Sequence, residues 1–115
     1  MKVTYHIPCF YFDRGSLQAC FNEDFKAELT KKIHTTDTDY IQLQTVKVER
    51  NGVFVDEELL TFYLDDLNFA EKLQTTLDIF ADTIEKYQSD LCQERYLYEY
   101  NGVIIPMSKK AIEDD

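Results

Sequence analysis

Glycine, proline and tryptophan are nearly missing from this chain: its 115 residues hold three Gly, two Pro and no Trp. So few glycines leave no Gly-rich loop ahead of a helix, and with it no backbone cradle for nucleotide phosphates. Histidine and cysteine are sparse too. His6, His34, Cys9, Cys20 and Cys92 show no C-x-x-C, no H-x-x-x-H and no close clustering, so neither a metal nor another cofactor is expected. Three widely spaced cysteines make a poor disulfide framework, and they are expected to be reduced and partly buried. A Cys–His nucleophile is poorly served, because His6 and Cys9 fall on opposite faces of an extended strand.

Basic charge is scarce as well. Twelve Lys and Arg stand against 22 Asp and Glu, a net charge of −10 and a pI near 4.5. Such a chain repels phosphate backbones and anionic lipid, so direct nucleic-acid binding is not expected, and the charge suits a basic protein partner or serves only to keep the domain soluble. No stretch approaches the roughly 18 continuous apolar residues of a membrane span. The opening "MKVTYHIPCFYF" lacks the apolar run and small-residue cleavage site of a signal peptide, so a cytoplasmic protein is expected. Paired acids occur in "DEE", "DD" and "EDD", but nothing around them would raise a carboxyl pKa as acid catalysis requires. The protein is therefore expected not to be an enzyme.

What is present is a globular composition: 44% hydrophobic residues, with eight Tyr and eight Phe. The length suits one domain, placed at residues 1–108, with an acidic C-terminal tail at 109–115. Residues 2–12 are β-branched and aromatic and read as a strand. Pro8 lacks an amide donor, which places that strand at an edge or beside a bulge. "DRGS" at 13–16 is a turn and 17–21 the return strand. A two-residue loop, Arg14-Gly15, would set Cys9 opposite Cys20 and put Phe10, Phe12, Leu17, Ala19 and Phe21 on one face. A three-residue loop would set Cys9 opposite Ala19, and pattern alone does not choose. Residues 22–33 read as a short helix with Asn22 as N-cap and Phe25, Leu29 and Ile33 as its apolar stripe.

Asn-Gly-Val occurs twice, in "VERNGVFV" and "YEYNGVII". Asn-Gly between alternating runs marks a type I′ hairpin, since both turn residues need positive φ. The first sets Val48 against Val55, Lys47 against Asp56, Leu43 against Leu60 and Ile41 against Phe62. Its apolar residues change face along the way, which calls for a bulge or strong twist near 56–58. A competing reading starts a helix at Asp56. The second hairpin sets Tyr100 against Val103, Tyr98 against Ile105 and Tyr96 against Met107, with Arg95, Leu97, Glu99, Ile104, Pro106 and Ser108 on the other face. Between them, 67–91 is a helix. Leu73, Leu77, Phe80, Ile84, Tyr87 and Leu91 form its buried stripe, and Asn68 with Glu71 resembles a capping box. The fold class is α+β: an antiparallel sheet of three hairpins with two helices on one face, in the order ββ-α-ββ-α-ββ.

Residues 56–90 carry ten acids and only two bases, Lys72 and Lys86, a balance of −8. Glu71, Asp78, Asp82 and Glu85 project from the outer face of the long helix. A rigid row of carboxylates can imitate spaced phosphates and occupy a nucleic-acid groove on a basic protein. Tyr96, Tyr98 and Tyr100 share one strand face, which is either core or a partner surface. The expected function is thus an acidic interaction protein, with the nucleic-acid-mimicking inhibitor as its sharper form. The alternative is a small assembly subunit that dimerises through edge strands, its charge serving only solubility.

Overall fold

The structure is a computed structural model that describes residues 1–91 and 96–107. Its elements are β1 (Lys2–Pro8), β2 (Phe10–Asp13), β3 (Ser16–Ala19), α1 (Glu23–His34), β4 (Asp39–Arg50), β5 (Val53–Tyr63), α2 (Phe69–Lys86), β6 (Leu97–Tyr100) and β7 (Val103–Pro106). The class is α+β, as the sequence pattern implies. Five antiparallel strands form one sheet in the order β4-β5-β1-β6-β7, and β2 and β3 form a separate two-stranded sheet. Cys92, Arg95, Ser108 and the tail at 109–115 lie outside the described residues.

All three two-residue loops have both central residues at positive φ: Arg14-Gly15, Asn51-Gly52 and Asn101-Gly102. That backbone twist matches the right-handed twist of the flanking strands. The loops fix the registers. Val48 pairs with Val55, Lys47 with Asp56 and Leu43 with Leu60. Tyr98 pairs with Ile105 and Tyr100 with Val103. The Met107 amide donates to the Tyr96 carbonyl, continuing that pairing by one step. In the first hairpin Phe10 pairs with Ala19 and the Cys20 amide donates to the Cys9 carbonyl at 2.8 Å, so the two-residue register is the one formed. Residues 53–63 are strand, not helix.

Four expectations are corrected. Residues 2–12 are not one strand but β1 and β2, broken at Cys9. β1 is the central strand, between β5 and β6, and Pro8 is tolerated because it is the last residue. The register irregularity sits at Tyr40-Ile41, between Asp39 and Gln42, rather than at 56–58, so Ile41 and Phe62 are not a regular pair. Tyr40 there adopts a positive φ of 55°. Asn22 and Asn68 stand at the expected N-cap positions, but neither makes the side-chain cap bond. Asn68 is left-handed, and α2 ends at Lys86, short of Leu91. Asn22 instead donates its amide to the Pro8 carbonyl at 2.8 Å, tying the start of α1 to the end of β1.

Strand parity sorts the large sheet into two faces. Val3, Tyr5 and Ile7 of β1, Leu60 and Phe62 of β5, and Tyr98 of β6 point to the helices and are buried. Phe25, Leu29 and Ile33 of α1 and Phe80 and Ile84 of α2 complete that core. Tyr5 stacks on Phe80 with ring centroids 4.3 Å apart and meets Phe62 edge-on at 5.2 Å. The other face carries Thr4, His6, Leu59, Thr61, Leu97 and Glu99, and neither α1 nor α2 packs on it. The β2–β3 sheet is mostly outside the core, with Leu17 and Phe21 exposed.

Candidate functional site

The acidic row stands where helical projection places it. Glu71, Asp78, Asp82 and Glu85 are all exposed on α2, opposite buried Thr76, Phe80, Thr83 and Ile84. At 100° per residue the four fall within a stripe about 60° wide, and at 1.5 Å per residue they span about 21 Å. Asp78 accepts a hydrogen bond from Gln74 Nε2 at 2.9 Å. The two lysines of α2 are drawn to other elements. Lys72 reaches Asp65 at 2.7 Å and Asp37 at 2.8 Å. Lys86 bridges to Glu28 of α1, which also meets Lys32 at 3.3 Å; the Lys86 ammonium beside it holds the Glu28 carboxyl below its usual range.

The remainder of the segment is less anionic than its composition. Asp56 pairs with Lys47, Glu58 with Lys26, Glu57 with Arg50 and Asp65 with Lys72. Among the described residues, unpaired negative charge is therefore concentrated on the outer face of α2 rather than spread over residues 56–90.

The tyrosines belong to the core. Tyr96 and Tyr98 are fully buried, while Tyr100 is half-buried and packs edge-on against Tyr98. The Tyr98 hydroxyl shares a 2.9 Å hydrogen bond with Thr76 Oγ1 and lies 3.1 Å from the Leu73 carbonyl. Tyr5 donates to the Thr76 carbonyl at 2.7 Å. Burial pushes the Tyr98 hydroxyl up to about 12. The Tyr5 and Tyr98 hydroxyls are thus bonded to helix α2, and Tyr96 packs edge-on against Phe25 of α1.

Cysteine chemistry is corrected too. Cys20 is disulfide-bonded and Cys9 is a free thiol. Although Cys9 and Cys20 face each other in the hairpin, they do not form a redox pair. Burial, then the Glu58 carboxylate, pushes the Cys9 thiol up to about 11, which makes it a poor nucleophile.

One cluster escaped sequence reasoning. On the open sheet face His6 lies between two carboxylates: Nε2 is 3.3 Å from Glu99 Oε1 and Nδ1 is 3.9 Å from Glu57 Oε2. Glu57 is 5% exposed. Arg50 Nη2 stands 3.6 Å from its Oε1, near enough to balance charge but too far to donate a hydrogen bond. His6, Glu57 and Glu99 come from β1, β5 and β6, and only the strand order brings them together. Among the described residues no group of three or more His, Cys, Asp or Glu has the geometry to hold a metal ion.

The Glu57 carboxylate raises the His6 pKa, burial opposes it, and Glu99 raises it further, with a net upward shift. Protonated His6 thus favours the folded state. That stabilisation is complete below about pH 6.5, the unfolded value, and is lost as pH rises through the higher folded value. Urea midpoints measured across pH 5.5 to 9 are expected to fall through this window in the native protein. In His6→Gln the fall should be absent; an unchanged profile would show that another group titrates there.

No family model matches the chain, and no curated protein is significantly similar to it. Among solved structures the chain is similar to one described as a phage SAM lyase in its apo state. Identity is 13% and the TM-score 0.40, over 95% of this chain and 89% of that one. At that TM-score the likeness carries no argument about function. No helix among the described residues is long and apolar enough to cross a membrane.

Proposed function

We propose that this domain is a non-enzymatic interaction protein that binds a basic macromolecule through the outer face of α2. The observation that carries the reading is the segregation of charge on that helix. Glu71, Asp78, Asp82 and Glu85 project outward, while Lys72 and Lys86 are held by Asp37, Asp65 and Glu28 on other elements. A helix anchored by a buried apolar stripe holds its carboxylates at fixed spacing, so a partner binds them without the cost of ordering them. A groove lined with Lys and Arg for a phosphate backbone is the matching surface, and occupying it would inhibit such a protein.

The test is salt-dependent binding to a basic nucleic-acid-binding protein from the native host. Association should weaken steeply between about 50 and 300 mM salt, as exposed charges are screened. The triple variant Asp78→Lys/Asp82→Lys/Glu85→Lys should keep its circular dichroism and lose on the order of 10²-fold in affinity. Retained affinity in the triple variant would reject the reading. The second reading, a subunit that assembles through an edge strand, is favoured by one observation: among the described residues β4 is a twelve-residue strand with a partner on one side only.

A further inference from the structure

We infer that two copies of this chain pair through β4, antiparallel and edge to edge, about a two-fold axis at Thr45. The two edges of the large sheet are unlike each other. β7 spans four residues and closes on Pro106, which has no amide to offer a further strand. β4 spans twelve, and its run Tyr40–Val46 contains no charge, Pro or Gly. Natural sheets usually blunt an edge of that length. The pairing of β4 with β5 is unbroken from Arg50–Val53 to Gln42–Thr61. Residues flanking a two-residue loop form a hydrogen-bonded pair, and such pairs alternate along the ladder. Leu43, Thr45, Lys47 and Glu49 therefore aim their backbone amides and carbonyls away from β5, toward the free edge.

Charge selects a second copy as the occupant. The chain carries −10 overall, yet β4 holds two acids, Asp39 and Glu49, and two bases, Lys47 and Arg50. It is a neutral surface on an anionic molecule, so copies can meet there with the least repulsion. A two-fold axis through the sheet keeps each face on its own side, which restricts the register. Centring on Gln44 sets Asp39 against Glu49 of the other copy, and centring on Lys47 sets that lysine against itself. Centring on Thr45 sets that residue against its copy, Leu43 against Lys47 and Gln42 against Val48. No like charges then oppose, and the regular ladder runs from Gln42 to Val48.

Sedimentation and light scattering between about 1 and 300 μM should show a concentration-dependent rise from 13.6 kDa to twice that mass. Salt should strengthen this dimer by screening the net charge, the opposite of its effect on binding at α2, so the two readings fail separately. Thr45→Pro removes the central outward amide and should leave a folded monomer. Thr45→Lys and Thr45→Glu each set like charges on the axis and should be monomeric alone, whereas an equimolar mixture should associate. A native protein monomeric throughout, a dimer that survives Thr45→Pro, or a mixture that stays monomeric would each overturn the proposal.

Discussion

Phe80→Ala is expected to lower folding stability by about 3–5 kcal/mol, enough to leave a small domain marginal. Phe80 is wholly buried on α2 and is the ring on which the helix sits over the sheet. It stacks on Tyr5 at 4.3 Å and lies 6.4 Å from Phe25 of α1, so one side chain joins the central strand to both helices. Truncation removes the transfer energy of the ring and leaves a cavity. The neighbours cannot easily collapse into it. Tyr5 is held by its 2.7 Å bond to the Thr76 carbonyl, and Phe62 packs edge-on against Tyr5. Asp78→Ala, two residues away on the exposed face, should stay within about 0.5 kcal/mol of the native protein. Urea unfolding followed by circular dichroism measures both. A Phe80→Ala loss below about 1 kcal/mol would mean that α2 is not docked through this stack.

Much of this architecture could be read from the chain because local chemistry dictates it. Asn51-Gly52 and Asn101-Gly102 each permit one tight reversal, and a two-residue loop leaves one register for the strands it joins. The stripe of Phe25, Leu29 and Ile33 is buried as helical spacing requires. What was not legible depends on contacts between elements far apart in sequence. β1 lies between β5 and β6, and no local signal in its own residues records which strands flank it. Thr76 and Thr83 are buried in α2 although polar, because their hydroxyls donate to the Leu73 and Ile79 carbonyls within the same helix. Residues picked by apolarity alone, Leu73 and Leu77, are only half-buried.

The same division applies to the acidic surface. Helical projection suffices to place Glu71, Asp78, Asp82 and Glu85 on one exposed face. It cannot show that Glu57 and Glu58 are withdrawn from that surface, since their bases, Arg50 and Lys26, lie on β4 and α1. Composition counted all ten acids alike, whereas pairing leaves the outer row of α2 as the concentrated charge.

The Lys26–Glu58 pair is expected to be costly to break and nearly free to replace. Lys26 lies on the inner face of α1, and its ammonium is 2.5 Å from Glu58 on β5, with side-chain exposures of 10% and 15%. Burial alone would lower the Lys26 pKa, but the Glu58 and Glu23 carboxylates more than offset it, so the lysine stays charged. Lys26→Met leaves the Glu58 carboxylate desolvated, with only the Cys9 thiol 3.7 Å away as a weak donor. A loss of about 2–4 kcal/mol is expected, somewhat below the value for a fully enclosed pair because some water reaches both groups. The double variant Lys26→Met/Glu58→Leu removes both charges together and should recover most of that loss, because neither desolvation penalty remains. A double-mutant cycle in urea measures the coupling. Losses that simply add would show that the two side chains do not act as a pair. Cys9 supplies an independent readout: with the Glu58 carboxylate gone, its alkylation should reach half-maximal rate at a lower pH than in the native protein.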